Sequence, residues 1–233
     1  MLPLPARDYL YPSVSPDGRR VAVVLADQER DLWVYDAVSA NGRQLTEDMI
    51  ARAPVWTPDG SRIIFVSFDG STGSTIYSVA ADSSGPPELV FASGDSVFPT
   101  SVSPDGRSVA FTRLTTRRDM GTRRREIWEV AISGDDPPVP LVQGGGARRG
   151  NAEYSPDGHW LAYQSNQSGV MEGYVQPYPG PGPALPVSIG GGGDVTWSPD
   201  GTRLFYRLGE RMMTAAFDSS GTLQIGSPNF VWY

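Results

Sequence analysis

The chain has 233 residues, 39% of them hydrophobic and 19% charged, with 27 Gly, 21 Pro and no Cys. That length suffices for one large domain with a buried core, and the lack of Cys excludes disulfides, thiolate metal sites and a Cys nucleophile. The formal net charge of −7 argues against nucleic acid as a partner, because such binding needs a basic surface that displaces counterions.

The segment 1–8, Met1-Leu2-Pro3-Leu4-Pro5-Ala6-Arg7-Asp8, has no basic region followed by an apolar core and does not read as a signal peptide. No apolar run approaches the length of a transmembrane helix, so membrane insertion is not expected. From Tyr9 onward the sequence repeats. The first unit, about 9–47, places Val14 before Ser15-Pro16-Asp17-Gly18, then the β-type runs Val21–Val24, Leu32–Tyr35 and Gln44–Thr46. The second, about 52–92, runs Trp56, Thr57-Pro58-Asp59-Gly60, Ile63–Val66, Ile76–Val79 and Glu88–Val90. The third, about 97–143, runs Val102, Ser103-Pro104-Asp105-Gly106, Val109–Thr112, Ile127–Val130 and Pro140–Val142. The fourth, about 150–189, has Tyr154, Ser155-Pro156-Asp157-Gly158, Leu161–Gln164, Tyr174–Gln176 and Pro186–Ser188. The fifth, about 193–232, has Trp197, Ser198-Pro199-Asp200-Gly201, Leu204–Arg207, Met212–Thr214 and Asn229–Val231. The five turn aspartates are 42, 46, 52 and 43 residues apart.

Pro presets φ at the second position of a tight turn, Asp bonds its own backbone, and Gly takes the left-handed position that follows. Each corner therefore joins the first strand of a unit to the second. Four strands per unit of about 45 residues is the period of a propeller blade, and no helical periodicity of useful length competes with it. The expected fold is all-β: a β-propeller of four-stranded antiparallel blades with five blades visible, either a closed five-bladed ring or an incomplete six-bladed one. The turn aspartates come one per blade, too far apart to share a calcium ion that needs six to eight converging oxygens. They read as turn stabilisers, and no metal or cofactor is expected.

Ser-Pro-Asp-Gly followed by apolar-Ala-aromatic and then an Ile-Trp/Tyr strand resembles the TolB-like propeller repeat, over about Tyr9 to Val231. Two segments look like the propeller found C-terminal to bacterial serine/threonine protein kinases. They are Tyr163-Gln164-Ser165-Asn166-Gln167-Ser168-Gly169 with Tyr174-Val175-Gln176-Pro177-Tyr178-Pro179-Gly180-Pro181-Gly182, and Gly190–Trp197 with Leu204–Arg207. The resemblance implies an extracytoplasmic sensor or interaction domain, and it carries over no catalytic residue.

The chain's own chemistry agrees. There is no Gly-x-Ser-x-Gly elbow; the nearest string, Gly94-Asp95-Ser96-Val97-Phe98, lacks the second Gly. The single His, His159, falls directly after a Pro-Asp-Gly turn, where it is expected to be exposed. Glu47-Asp48 and Asp135-Asp136 are adjacent carboxylates in loops, and Gly144–Gly146 and Gly190–Gly193 precede no helix that could cradle a phosphate. The expected function is non-catalytic binding or sensing of a protein, peptide or small ligand. The alternative is the regulatory propeller of a multidomain enzyme, a serine/threonine kinase or a prolyl-oligopeptidase-like hydrolase, whose catalytic domain lies outside this sequence.

Strand topology sends the first-to-second and third-to-fourth turns to one face and the second-to-third loops and blade links to the other. In blade 3 the segment 113–126 reads as a long loop carrying Arg117, Arg118, Arg123, Arg124 and Arg125, and the following link carries Arg148 and Arg149. Together they suggest a positive patch for an acidic partner or anionic ligand. Arg52, Phe98, Asn151 and Asp194 enter the first strands and are expected at the channel mouth on that same face.

Overall fold

Each Ser/Thr-Pro-Asp-Gly corner closes the same hydrogen-bonded turn. The computed structural model describes residues 6–26, 29–68, 73–117, 122–134, 136–142, 146–180, 182–219 and 224–232. In the first corner the Ser15 hydroxyl donates to Asp17 Oδ1 at 2.5 Å, the same oxygen accepts the Arg19 N–H at 3.1 Å, and Ser15 Oγ accepts the Arg20 N–H at 2.9 Å. The Gly18 N–H returns to the Ser15 carbonyl at 2.8 Å. The other four corners repeat these bonds with Thr57 and Asp59, Ser103 and Asp105, Ser155 and Asp157, and Ser198 and Asp200. Hydrogen bonding to the ionised carboxylate, first from the Thr57 and Ser198 hydroxyls, holds Asp59 and Asp200 down to about 2.

The corner glycines all sit at φ between +66° and +74°, where a Cβ would crowd the following carbonyl. At Gly106 a Cβ would meet nothing within 4 Å, so the cost of Gly106→Ala is backbone strain alone. Chemical denaturation is expected to show a loss of about 1–2 kcal/mol.

Between corners the chain forms consecutive antiparallel strands. Blade 1 holds β1 (Tyr9–Val14), β2 (Arg20–Leu25), β3 (Leu32–Asp36) and β4 (Gly42–Gln44); blade 2 holds β5 (Ala51–Trp56), β6 (Arg62–Ser67), β7 (Ser74–Ala80) and β8 (Glu88–Ser93). Blade 3 holds β9 (Ser96–Val102), β10 (Ser108–Arg117), β11 (Thr122–Ala131) and β12 (Val139–Pro140). Blade 4 holds β13 (Arg149–Tyr154), β14 (Trp160–Ser165), β15 (Glu172–Pro177) and β16 (Leu185–Pro186). Blade 5 holds β17 (Gly193–Trp197), β18 (Arg203–Leu208), β19 (Arg211–Asp218), β20 (Gln224–Ile225) and β21 (Asn229–Trp232), the last two both pairing with β19. Strand order in each sheet follows the chain, so among the described residues no blade is completed by a strand from the opposite terminus. There is no helix among the described residues. The protein is a five-bladed β-propeller.

The blades stack because their sheets are apolar on both faces. Along β6, Ile63 and Phe65 turn toward blade 1 while Ile64 and Val66 turn toward blade 3, the period-two alternation of a strand buried on both sides. The same division sends Ala110 to blade 4 and Phe111 to blade 2, and places Ala162 and Val175 against Leu204 and Tyr206 of blade 5. The innermost strands pack in sequence, β1 on β5, β5 on β9, β9 on β13 and β13 on β17.

The seam between blades 5 and 1 differs. Among the described residues β17 has no comparable packing onto β1. On the far side of β18, Arg203 and Arg207 are exposed and Phe205 half-buried. Blade 1 instead covers Val21 and Val23 with its own Tyr9, Trp33 and Tyr35; Tyr9 meets Tyr35 edge-on at 5.9 Å and Trp33 stacks on Tyr35 at 6.0 Å.

One sequence expectation needs correction. The segment 113–126 is not a long loop: β10 and β11 pair in unbroken register from Ser108↔Ala131 to Arg117↔Thr122. The run Leu114-Thr115-Thr116-Arg117 opposite Thr122-Arg123-Arg124-Arg125 lacks the apolar alternation that marks a strand, yet its β-branched threonines and continuous backbone pairing extend the hairpin.

Candidate recognition site

The backbone fixes which residues share a face. The third-to-fourth turns bond to the first-to-second turns of the same blade, Ala37 N–H to Arg19 O at 2.8 Å, Ala81 to Ser61 at 2.9 Å, Ile132 to Arg107 at 2.8 Å, Tyr178 to His159 at 2.8 Å and Phe217 to Thr202 at 2.8 Å. All five Pro-Asp-Gly corners therefore lie on one side. Pro16, Pro58, Pro104 and Pro156 rim a depression of about 470 Å³ there. Its wall includes Ser13, Val55, Ser101 and Glu153, each two residues before a corner Ser or Thr. Burial raises the Glu153 carboxyl to about 7, opposed by hydrogen bonds from Thr196 and the Trp197 backbone that favour the charged form. His159 is exposed on its turn, its backbone N–H bonded to Asp157 at 3.0 Å.

The opposite face carries the residues singled out from the sequence. Four residues before each corner Ser or Thr, the innermost strand bulges, with Tyr11, Ala53, Asn151 and Asp194 at φ of 52°, 49°, 51° and 53°. In blade 3 that place is taken by Pro99, whose ring forbids positive φ, and the register slip moves to between Pro99 and Ser101. Bulges re-aim side chains, and contacts link residues at or beside this level in blades 2 to 5. The Arg52 guanidinium lies 4.7 Å over the Phe68 ring, and Phe68 packs on Phe98 at 5.7 Å. Phe98 pairs with Thr112, whose hydroxyl accepts the Asn151 N–H at 3.2 Å. Asn151 Nδ2 donates to Asp194 Oδ1 at 3.1 Å, and Asp194 Oδ2 pairs with Arg207 at 3.0 Å. Arg52, Phe98, Asn151 and Asp194 thus form one contact chain across blades 2 to 5.

The arginines separate into different environments. Arg118 lies outside the described residues, and of Arg117 and Arg123 only the backbone is described, on the projecting end of the β10–β11 hairpin. Beyond the Leu114↔Ser96 pair this hairpin has no partner from β9, so the rungs of Arg117, Arg123 and Arg124 extend past the blade. Arg124 and Arg125 are half-buried. Arg125 reaches blade 4, where its Nη2 lies 3.4 Å from the place a Gly150 Cβ would occupy, and its buried Nε has no acceptor. Arg52 Nε is likewise without an acceptor. Arg148 is exposed on the link, its N–H bonded to Asn166 at 2.7 Å. Arg149 is buried at 8% exposure and turns into the cleft between blades 3 and 4, away from the open patch.

Sequence reasoning missed Asp95 and Arg113, paired at 2.7 Å with the guanidinium 5.0 Å above Trp128. It also missed Gln164, which accepts the Asp194 N–H at 3.2 Å. Each is an isolated polar residue in or beside a strand; only the topological placement of strand ends on this face could have marked them.

Residues 8–128, more than half of the chain, match the model of the TolB β-propeller domain. The chain belongs to the TolB β-propeller family. Among solved structures it is similar to a protein assigned as TolB from Agrobacterium tumefaciens, 20% identical, with 97% of this chain and 83% of that one covered at a TM-score of 0.72. TolB from Acinetobacter baumannii is similar at 18% identity, 96% and 57% coverage and a TM-score of 0.71. The same fold recurs in a prolyl endopeptidase, 16% identical, where 96% of this chain covers 36% of the larger protein at a TM-score of 0.63. No curated protein sequence matches the chain. At these identities the structural likeness concerns the TolB-type fold, and the site rests on the residues described above.

Proposed function

We propose that this TolB-type propeller is a non-catalytic recognition module that binds an acidic segment of a protein partner on the face opposite the Pro-Asp-Gly corners. The observation that carries the reading is the β10–β11 hairpin. Its rungs continue past the last pair with β9, its sequence there carries Arg117, Arg123 and Arg124, and at its base stands Arg125, whose Nε has no acceptor. In a protein of net charge −7 such a run of arginines favours an acidic partner. Guanidinium groups bind carboxylates through paired N–H donors, and a hairpin edge offers backbone groups to an extended segment. An extracytoplasmic setting, as the family resemblance implies, accompanies this reading.

The test is titration with an acidic peptide such as a Glu/Asp-rich dodecamer, comparing the wild type with Arg123, Arg124 and Arg125 all changed to Ser. Affinity is expected to fall at least tenfold in the variant, and wild-type binding to weaken steadily with added salt. Equal affinity of the two proteins would remove the proposal.

A further inference from the structure

Blade 4 and the outer strand of blade 3 leave a cleft of about 650 Å³ between them, within the range of small-molecule sites. Its wall is mixed: Val139, Leu141, Val142 and Ala184 form an apolar patch, and Tyr163, Gln167 and Gln176 supply polar groups around it. Arg149 also lines it. That guanidinium is 8% exposed, its Nε has no acceptor, and among the described residues it forms no ion pair. A buried cation without a counter-charge is strongly destabilising, and proteins remove such groups unless they serve another purpose.

The nearby acid does not serve as its counter-ion. Glu129 also lines the cleft, but its Oε2 accepts the hydroxyls of both Tyr154 and Tyr178, the latter at 2.6 Å. The phenols brace that carboxylate locally and leave Arg149 unmatched. Burial raises the Tyr163 hydroxyl to about 12, an effect the Arg149 charge opposes, so this wall of the cleft is uncharged at neutral pH. The cleft thus combines one cation without an ion pair among the described residues, an apolar patch beside polar groups, and a carboxylate whose Oε2 is held by two phenols.

We propose that the cleft between blades 3 and 4 is a binding site for a small organic carboxylate with an apolar body, anchored by Arg149. One guanidinium balances one negative charge through its planar fork of donors. A monocarboxylate neutralises Arg149, whereas a phosphate near two negative charges would carry excess charge toward Glu129. The apolar body lies against Tyr163 and the Val139–Val142 segment.

The experiment is calorimetric titration of the full chain with sodium benzoate as the anionic probe and benzyl alcohol as the uncharged one. Benzoate is expected to bind at least tenfold more tightly than benzyl alcohol. Arg149→Met should abolish that preference and raise the thermal midpoint of the unliganded protein, because it removes an unmatched buried charge. Ala184→Trp, which fills the rim and leaves the arginine, should weaken both probes. The proposal is overturned if the wild type binds the two probes equally, if Arg149→Met keeps the preference for benzoate, or if that variant has a lowered midpoint or does not fold, which would make Arg149 a structural residue.

Discussion

Trp56→Ala is expected to destabilise the protein by about 4 kcal/mol, while Val14→Ala, at the equivalent position of blade 1, changes stability by no more than about 0.5 kcal/mol. The residue before each corner lies on an innermost strand, and in blades 2 and 5 it demonstrably reaches the preceding blade. Trp56 is 6% exposed, donates its indole N–H to the Ser13 carbonyl at 2.9 Å and lies 4.8 Å beneath the Arg20 guanidinium. Trp197 does the same to the Glu153 carbonyl at 3.3 Å. Val14 should reach back to blade 5, yet it is 60% exposed. Truncating Trp56 removes a large buried ring, leaves a cavity between two blades and removes the aromatic face beneath the Arg20 guanidinium, which keeps its bond to the Gly60 carbonyl. Truncating Val14 removes a side chain that water already surrounds. Equilibrium urea denaturation of both variants reads the difference directly. A loss at Val14 approaching that at Trp56 would mean that blade 5 covers blade 1 in solution and that the fifth seam is packed like the others.

The repeated corners made most of the fold legible before any coordinates. Five Pro-Asp-Gly turns fix five strand pairs, and the apolar runs that follow are short, β-branched and aromatic, as strands buried on both faces must be. Two features escaped. The end of the β10–β11 hairpin is written in Thr and Arg, so its pairing comes from backbone bonds and register carried outward from Phe111↔Trp128, with no apolar pattern to announce it. The short strand β20 contains only Gln224 and Ile225, too little for any periodic signal. Arg52, Phe98, Asn151 and Asp194 could be grouped because topology alone assigns strand ends to faces, and they do form one contact chain. The cleft of Arg149 was not legible: whether an arginine at the start of a strand faces water or an interblade gap depends on how the neighbouring sheets pack. Glu129 escaped for the same reason, since an acid in the alternating run Ile127-Trp128-Glu129-Val130 reads as solvent-facing until Tyr154 and Tyr178 are brought over it.

Glu153 should give the protein a stability that falls as pH rises through the weakly acidic range. Folding moves its carboxyl from about 4.5 to about 7, chiefly through burial beneath the corner face, with hydrogen bonds from Thr196 and Trp197 opposing the shift. Below about pH 4.5 both folded and unfolded chains hold the proton, and the group contributes no pH dependence. Between about 4.5 and 7 the folded protein retains a proton that the unfolded chain has released, so raising the pH favours unfolding. Above about 7 both forms are ionised and the penalty is complete, at about 2–3 kcal/mol for a half-buried carboxyl shifted this far. Glu153→Gln keeps the shape and removes the charge. At pH 8 the variant should be more stable than the wild type by about that amount, roughly 5–10 °C in thermal midpoint for a domain of this size. At pH 4 the two should coincide. Denaturant midpoints measured every half unit from pH 4 to 8 follow the difference, and parallel profiles for the two proteins would show that water reaches Glu153 freely in the folded state.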